Sequence, residues 1–302
     1  MSRTRGCGIT TEQIAQYQRD GAILIKGVLS DEELVLLERG LEEAYAHPSE
    51  GYMNVRSPAG EGDTFLDLFP SLRCPSLKML LATGTVPEIA ARLMECSSAQ
   101  LILDQIFYKQ KGYVNPTPWH QDTPFLRVRG HDMARVWLTC DFSPGELTVQ
   151  VVRGSHRWNV VYNSATADST RVMTAGEGKD RPFAGIGDDS LPVAPDVAKY
   201  HDSFDILSWD VRPGDALIFH GNVLHGAQGR ENHPTARRAF ASMWGGPDLR
   251  YYVPPGNAIP TLAEINGHSV PHGARIGDYE DAFAVGWRDD DRRKAEREQR
   301  SA

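Results

Sequence analysis

A histidine and an acid two residues apart, His120 and Asp122, are the first residues in this sequence whose types and spacing suggest chemistry. Successive side chains of a β-strand point to opposite faces, so residues two apart share a face and would place an imidazole beside a carboxylate. Such pairs are also common on protein surfaces. On its own, the pair predicts only a portion of a metal site.

A second histidine segment follows a Pro-Gly-Asp turn. There the apolar run 216–219 is followed by His220 and, after a short stretch, by His225. Two histidines and one carboxylate, with open coordination positions opposite, form the facial triad that binds non-haem Fe(II). His120, Asp122 and His225 can supply these ligands. His220 is the rival third ligand, but it closes the apolar run, which favours a packing role.

A single arginine distinguishes between the possible metals. Arg237 begins a predicted strand in which alternation places Ala239 and Ala241 on the same face as Arg237, and Arg238 on the opposite face. Small residues beside an arginine leave room for a ligand, and the planar guanidinium matches a carboxylate. A zinc hydrolase does not need this arginine. An iron oxygenase that chelates a dicarboxylic keto acid does.

Taken in order, these motifs resemble the phytanoyl-CoA dioxygenase family of Fe(II)/2-oxoglutarate-dependent oxygenases. The resemblance extends from about Thr11 to Tyr252, and the ordered set is far more specific than any one motif. The set comprises, in chain order, the string His120-Gln121-Asp122, Trp137, the string Gly154-Ser155-His156, the segment from Pro213-Gly214-Asp215 to Ala227 and the string Arg237-Arg238-Ala239-Phe240.

The resemblance implies roles for seven residues. The iron ligands, which are also the catalytic residues, would be His120, Asp122 and His225. The residues that contact the cosubstrate 2-oxoglutarate would be Arg237, Gln121, Trp137 and, by a weaker match, Lys109.

The chain also departs from the family pattern. Glu146-Leu147 stands where relatives usually have Asn-Gly, and Arg153 stands where they often have proline. Ala227 replaces a serine that is common two residues after the distal histidine, which removes one possible hydrogen bond to the cosubstrate. Because position 122 keeps its carboxylate, halide has no vacant ligand position, and halogenation is disfavoured.

The function implied by the resemblance is hydroxylation of an unactivated carbon of a small-molecule substrate. It would use Fe(II), 2-oxoglutarate and O2 and release succinate and CO2. A redox-inactive cupin-like metalloenzyme and a non-catalytic small-molecule binding module are the alternatives, and Arg237 argues against both. Desaturation and ring chemistry also stay open, and fold and triad do not define the substrate.

The elements that position these residues change in type along the chain. The first hundred residues favour helices near 11–20, 31–45 and 87–94, with one short strand at 22–25. Beyond them, short β-rich runs separated by Gly/Pro turns predict an all-β sandwich or barrel. These runs are Leu101–Tyr108, Ala134–Phe142, Leu147–Val152, Ala216–Phe219 and Arg238–Trp244. We therefore expect a mainly β fold with flanking helices, a cupin-like double-stranded β-helix (jelly roll) with the N-terminal helices packed on one sheet.

We expect one domain over residues 1–302. It would comprise a helical N-terminal region over residues 1–100, a jelly-roll core over residues 101–252 and a C-terminal extension over residues 253–302. Residues 160–204 interrupt the core with many Gly, Asp, Ser and Pro residues. Such a long excursion in a compact domain is usually a functional lid or a mobile insertion, which we expect to become ordered when substrate binds.

Composition limits the partners and the compartment. The chain has 302 residues and a net charge of −8, so it has no global electrostatic attraction to nucleic acid or anionic membranes. It contains no apolar run of about 20 residues and no secretory signal pattern. Its four cysteines are far apart and form no CxxC motif, which predicts reduced thiols in the cytoplasm. The oligomeric state is not predicted.

Four arginines are candidates for substrate contact. We interpret them as surface or salt-bridging residues, although one that faces the cavity would imply an anionic substrate. They are Arg127, Arg129, Arg135 and Arg153.

Overall fold

The computed structural model describes residues 8–55, 62–163, 174–175, 188, 190–256 and 258–292. Within these ranges the helices are α1 (Thr11–Asp20), α2 (Asp31–Ala46), α3 (Pro75–Ala82), α4 (Thr85–Leu93) and α5 (Leu262–Ile265). The strands are β1 (Ala22–Ile25), β2 (Met53–Val55), β3 (Thr64–Leu68), β4 (Ser98–Lys109), β5 (Gly112–Val114), β6 (Thr117–His120), β7 (Val128–Arg129), β8 (Met133–Thr139), β9 (Gln150–Val152), β10 (Thr174–Ala175), β11 (Ile206–Leu207), β12 (Ala216–Phe219), β13 (His225–Ala227), β14 (Arg230–His233), β15 (Arg237–Gly245), β16 (Arg250–Tyr251) and β17 (Val285–Arg288).

Local sequence signals determine where the first helices begin and end. Thr10 and Gln13 form a capping box at the start of α1, and Gly21 ends that helix with a left-handed φ of 78°. Ser30 and Glu33 form the same box at the start of α2. These side chains satisfy backbone N–H groups that have no partner within the helix, so both predicted helix starts are confirmed.

Two antiparallel sheets form the jelly roll. The larger has nine strands in the order β1-β12-β8-β15-β4-β3-β2-β10, with β17 also paired to β4. The smaller has the order β11-β9-β13-β6. The predicted class, a mainly β double-stranded β-helix with flanking helices, is confirmed.

The large sheet is covered on both faces. Helices α2 and α4 contact the outer face at β4 and β15 and enclose a core that includes Leu37, Ile89 and Phe240. The inner face contributes Trp137 and Ala241 to a second apolar cluster between the sheets. Since alternate residues of a strand face opposite ways, β15 contributes to both cores.

The N-terminal region is less purely helical than expected. Strands β1, β2 and β3 all belong to the large sheet, and only β1 was predicted from sequence. Strand β3 pairs with β4 over Thr64–Leu68, far away in the sequence. A short strand such as β3 is stabilised by this pairing, so its local sequence carries little signal.

The C-terminal extension packs against the segment that follows the predicted metal ligands. Tyr252 N–H donates to the Arg127 carbonyl at 3.0 Å, and Ile259 N–H donates to the Phe125 carbonyl at 2.8 Å. Arg127 also forms an ion pair with Glu264 at 3.3 Å. Together with the pairing of β17 to β4, these contacts join the extension to the jelly roll.

Among the described residues, no helix is long and apolar enough to cross a lipid bilayer. Residues 293–302, at the end of the C-terminal extension, lie outside the described ranges.

Asp104 provides a test of the core by pH. Its carboxylate is fully buried on β4, where Oδ2 accepts a bond of 2.8 Å from Ser71 N–H and Oδ1 has no hydrogen-bond partner among the described residues. Burial raises the pKa of Asp104 from 3.8 to about 6. Because the folded state prefers the protonated acid, wild-type stability is lost as the pH rises from 3.8 through 6.

Asp104→Asn should therefore stabilise the protein above pH 6, where it removes a buried charge. The pKa shift corresponds to a gain of about 3 kcal/mol at most, and the gain should fade below the pKa of the unfolded chain. Urea unfolding of both proteins on either side of this pH window measures the difference. An equal effect at both ends would show that Asp104 does not titrate as the structure indicates.

Candidate metal centre

His120 and His225 are direct neighbours across two strands. They form a Cα pair between β6 and β13, although they are far apart in the sequence. Their ring centroids lie 4.2 Å apart. One ligand atom from each of His120, Asp122 and His225 lies within 4.8 Å of the others, and this is the group found among the described residues that could hold a metal ion. The three residues selected from sequence therefore meet in space.

Asp122 reaches the cluster in a different way from the predicted shared strand. Strand β6 ends at His120, and Asp122 has helical backbone angles (φ −76°, ψ −35°) at the start of the 3₁₀ turn Thr123–Phe125. Its N–H donates to the Gly221 carbonyl at 2.9 Å, which fixes the turn against the segment before β13. The carboxylate Oδ1 lies 3.8 Å from His120 Nε2 and 3.7 Å from His225 Nε2.

Both histidines are held in the protonation state that a metal needs. Burial lowers the pKa of His120 and lowers that of His225 to about 3, so both rings are neutral at physiological pH. The Nδ1 atoms lie 2.7 Å from the Pro118 carbonyl and 3.0 Å from the Val223 carbonyl. These backbone contacts fix Nδ1–H as the donor and leave Nε2 as the free ligand atom on each ring.

Asp122 is ionised because of a neighbouring arginine. Burial alone would raise the pKa of Asp122, but the guanidinium of Arg135 holds it below its ordinary value. Arg135 Nη1 lies 2.9 Å from Asp122 Oδ2, and both side chains are almost fully buried. Arg135 Nη2 donates to Gln105 Oε1 at 2.7 Å. Arg135 is thus a salt-bridging residue, as the sequence suggested, but its partner is a candidate metal ligand.

Arg237 lies on the inner face of β15 with much of its guanidinium free. The residue is only 7% exposed, and its Nη2 donates to Ser143 Oγ at 2.7 Å. Nε and Nη1 have no hydrogen-bond partner among the described residues. Burial lowers the pKa of Arg237 to about 10, so the group stays charged. Buried donors without a partner destabilise a fold, so their presence here indicates a place where a carboxylate can bind.

Lys109 is the direct cross-strand neighbour of Arg237 and is equally buried. Its Nζ donates to the Asn115 carbonyl at 2.8 Å. Two adjacent buried cations on the inside of a barrel favour an anion between them. Trp137 faces the same interior, since it pairs with Ala241 and belongs to the inner apolar cluster.

The structure does not support a cosubstrate role for Gln121. Its Nε2 donates to the carbonyls of Val160 and Asn222 at 3.0 and 2.8 Å, and its Oε1 accepts from Tyr162 N–H at 2.8 Å. Both ends of its side-chain amide are therefore occupied by backbone groups. It instead connects the segment that carries His120 and Asp122 to the start of the 160–204 insertion.

About half of that insertion lies outside the described residues, so the predicted lid stays a prediction. Its two described ends are bonded to each other, and the second of them packs on the core. Asn163 N–H donates to the Pro192 carbonyl at 2.8 Å, and Val197 packs with Val152 and Leu224 in a small apolar cluster.

The motif Gly154-Ser155-His156 joins structural elements. Ser155 Oγ donates to the Val152 carbonyl at 2.8 Å and accepts from Leu224 N–H at 2.8 Å. His156 Nε2 lies 3.1 Å from the Gln18 carbonyl at the end of α1. Both side chains are therefore bonded to backbone, and two of these contacts join segments that are far apart in the sequence.

His220 is bonded to backbone at both ring nitrogens. Its Nε2 lies 2.5 Å from the His131 carbonyl, and its Nδ1 accepts from Asn222 N–H at 3.0 Å. Burial lowers the pKa of His220 to about 3. These contacts leave no lone pair for a metal, so the predicted packing role fits the structure better than a ligand role.

His220→Ala should therefore keep most of its Fe(II) while losing stability. Removing a buried ring that is bonded to backbone costs about 2–4 kcal/mol. Anaerobic Fe(II) binding and thermal unfolding of the same preparation measure the two effects. Loss of iron binding at a temperature where the variant is fully folded would assign His220 to the metal centre.

The remaining arginine candidates have partners away from the metal. Arg129 Nη1 donates to the carbonyls of Thr123, Leu126 and Val128. Its guanidinium carbon lies 4.0 Å from the centroid of the Tyr252 ring. Arg153 forms ion pairs with Asp20 at 3.4 Å and Asp205 at 2.8 Å. Arg153 therefore fits the salt-bridging interpretation, whereas Arg129 is half-buried and bonded to backbone carbonyls instead.

Sequence reasoning missed Ser143 and Gln105, which accept hydrogen bonds from Arg237 and Arg135. Ser143 is fully buried, and its Oγ lies 2.8 Å from Thr148 Oγ1 as well as receiving Arg237. No local pattern distinguishes this serine from other turn residues. The inward direction of Arg135 had a weak signal in the sequence. Arg135 lies two residues before Trp137 on the same strand, so the two side chains share the inward face.

The fold and these residues define a class of protein. A double-stranded β-helix with two neutral histidines, one carboxylate and a buried, partly unsatisfied arginine fits Fe(II) and a dicarboxylate keto acid. Comparison with known proteins leads to the same class. The family described as phytanoyl-CoA dioxygenase (PhyH) matches residues 17–239, and the chain belongs to this family. It is an Fe(II)- and 2-oxoglutarate-dependent dioxygenase.

Individual relatives are distant. Ectoine dioxygenase of Sphingopyxis alaskensis is 22% identical over 242 residues, which are 75% of this chain and 72% of that protein. Among solved structures, the non-heme alpha ketoglutarate dependent carbocyclase SnoK from nogalamycin biosynthesis has a TM-score of 0.66 at 17% identity, covering 94% of this chain and 99% of that one. The epimerase SnoN of the same biosynthesis has a TM-score of 0.63 at 16% identity, covering 91% and 95%. These structures share the fold.

Proposed function

We propose that the protein hydroxylates an unactivated carbon of a small-molecule substrate. In this proposal His120, Asp122 and His225 bind Fe(II). Arg237 and Lys109 bind the distal carboxylate of 2-oxoglutarate, and Trp137 lines the wall of that pocket. The observation that carries the proposal is the three-ligand cluster together with a buried Arg237 whose Nε and Nη1 have no partner among the described residues.

The reaction balances without a further reductant. Bound Fe(II) and 2-oxoglutarate supply the power to activate O2, one oxygen atom entering the substrate as a hydroxyl group and the other entering succinate, with loss of CO2. The chain binds these partners, orients them and excludes water. Each role can be assigned to described residues.

Orientation comes from rigid elements. His120 and His225 lie on paired strands, and their Nδ1 contacts with backbone fix the ring positions. Arg237 is held on the long strand β15 by Ser143. Ligands supported in this way stay close to the productive geometry when the cosubstrate binds.

Aromatic rings limit water around the metal centre. Phe125 meets the His120 ring edge-on at 5.7 Å, and Phe219 lies 4.7 Å from the His225 ring. The His120 side chain is 20% exposed, whereas those of Asp122 and His225 are 8% and 6% exposed. We infer that substrate approaches from the His120 side, past Phe125 and the C-terminal extension packed on it.

The similar proteins support a small-molecule substrate. Their names describe an ectoine dioxygenase, a carbocyclase and an epimerase, which are different outcomes on one fold. Hydroxylation is our assignment because the family and the curated relative are dioxygenases. Arg237 argues against the redox-inactive cupin and the non-catalytic binding module, since neither needs a buried site for a distal carboxylate.

A screen for succinate release tests the proposal. Fe(II)-loaded protein is incubated with 2-oxoglutarate and O2 against a library of small metabolites, and succinate and hydroxylated product are measured by mass spectrometry. We expect a substrate to stimulate succinate formation with a product heavier by one oxygen atom. Stimulated turnover that yields a cyclised or epimerised product would refute hydroxylation, and turnover without 2-oxoglutarate would refute the assigned class.

We also propose that the chain is a single domain in the cytoplasm. The first and last strands, β1 and β17, both belong to the large sheet, which supports one folding unit. Cys74, Cys96 and Cys140 are free thiols, which supports a reducing compartment. Co-operative unfolding and labelling of these thiols in cells test the two statements.

A further inference from the structure

We propose that Arg135 makes the binding of Fe(II) and of 2-oxoglutarate strongly interdependent, because it already neutralises the metal centre's carboxylate. The inference rests on the proposed function of the cluster. It assigns Arg135 as a positioning residue that acts through Asp122.

The two oxygens of the Asp122 carboxylate face different partners. Asp122 Oδ1 faces the two histidine Nε2 atoms at 3.8 and 3.7 Å, while Oδ2 faces Arg135 Nη1 at 2.9 Å. The ion pair is buried, with side-chain exposures of 7% for Arg135 and 8% for Asp122. One oxygen is therefore left for a metal, and the charge of the carboxylate is already balanced.

Arg135 cannot easily turn away from Asp122. Its Nη2 is held by Gln105 Oε1 at 2.7 Å, and its guanidinium carbon lies 5.8 Å from the Phe107 ring centroid. Strand β8 places it opposite Phe219 of β12 and Met243 of β15. The positive charge therefore stays beside the metal position whether or not a metal is bound.

The charges of the pocket follow from this arrangement. The cluster provides two neutral histidines and one carboxylate that is paired with Arg135, so a dication entering alone finds no net negative charge. Lys109 and Arg237 add two further buried cations on the inner face of the same sheet. Charges in a buried site interact strongly at short distance.

2-Oxoglutarate would bring two negative charges into this positively charged pocket. One carboxylate would bind near the three-ligand cluster, and Arg237 and Lys109 would hold the other. Fe(II) and 2-oxoglutarate should therefore each raise the affinity for the other, by the same factor in both directions. We expect this coupling factor to be at least about 100 in the wild-type protein, within the range typical of coupled sites.

The test compares charge removal with charge retention at position 135. Fe(II) dissociation constants are measured anaerobically for the wild-type protein, Arg135→Gln and Arg135→Lys, with and without saturating 2-oxoglutarate. Arg238→Gln is the matched control, because Arg238 is an ion-paired arginine that faces Asp141 and Glu42 on the other side of β15. The visible band of the Fe(II)–2-oxoglutarate complex confirms that the metal lies at the triad.

At an alkaline pH that keeps Asp122 ionised without Arg135, Arg135→Gln should bind Fe(II) alone at least tenfold more tightly than the wild-type protein, and its coupling factor should fall at least tenfold. Arg135→Lys and Arg238→Gln should keep the wild-type coupling within threefold. Weaker Fe(II) binding by Arg135→Gln, or unchanged coupling in that variant, would overturn the inference.

Two results decide the matter even if Arg135→Gln does not fold. A wild-type coupling factor near 1 overturns the inference, and so does lost coupling in Arg135→Lys, which keeps the charge. Absence of the visible band from the wild-type protein would instead remove the proposed function. If the wild-type protein forms the band but Arg135→Gln keeps the wild-type coupling factor, only the role of Arg135 is refuted.

Discussion

Asp122→Asn is expected to lower Fe(II) affinity at least 100-fold and to abolish substrate-stimulated succinate formation. Asp122 is the carboxylate of the three-residue cluster, and its Oδ1 faces both histidines. An amide in its place is a poor ligand for Fe(II), and Arg135 then presents an uncompensated positive charge to the incoming metal. Anaerobic Fe(II) binding and succinate formation are the two measurements.

The variant must be compared with one that also loses a buried, ion-paired carboxylate. Breaking a buried ion pair by removing one partner costs about 3–5 kcal/mol, so Asp122→Asn should unfold at a lower temperature. Asp20→Asn is the matched control, because Asp20 is also buried and ion-paired with arginine but lies at the end of α1. The control should keep its iron. Equal loss of iron in both variants would mean that destabilisation, rather than a missing ligand, explains the effect.

Arg237→Ala is expected to raise the KM for 2-oxoglutarate by a factor of tens to thousands and to change Fe(II) affinity measured without 2-oxoglutarate far less. The guanidinium is buried, with Nε and Nη1 free of partners among the described residues. Removing one member of a buried charged pair costs about 2–5 kcal/mol, which corresponds to this range. Titration of 2-oxoglutarate at saturating Fe(II) measures the effect.

Arg238→Ala is the control for the assignment of side chains to the two faces of β15. Arg238 is ion-paired with Asp141 at 2.8 Å and Glu42 at 2.5 Å on the opposite face of β15. Its removal should change the KM for 2-oxoglutarate less than threefold. A cosubstrate defect equal to that of Arg237→Ala would show that the inward face of β15 is wrongly assigned.

Residues with a strong local or motif signal were predictable. The capping boxes of α1 and α2 and the run Ala216–Phe219 follow from patterns of a few residues. The cluster of His120, Asp122 and His225 was also predictable, because three residue types had to converge for any iron chemistry. The face of Arg237 follows from the alternation of β15.

Features that depend on long-range contacts were not predictable. Asp122 was expected on a strand but lies in a turn, because the strand ends at His120 and Gly221 holds the next N–H. Gln121 was assigned to the cosubstrate but is bonded to distant backbone groups, including the Asn222 carbonyl. Strand β3 exists because β4 pairs with it. None of these contacts leaves a periodic signal in the sequence.

The most direct test of the account is an anaerobic titration of the wild-type protein with Fe(II) and 2-oxoglutarate, followed by visible absorption. We expect a weak charge-transfer band that saturates at one Fe(II) per chain, requires both components and is lost in Asp122→Asn. We also expect that the band needs much more 2-oxoglutarate in Arg237→Ala. Failure of the wild-type protein to form the band, or an unchanged band in Asp122→Asn, would contradict an Fe(II)/2-oxoglutarate centre at His120, Asp122 and His225.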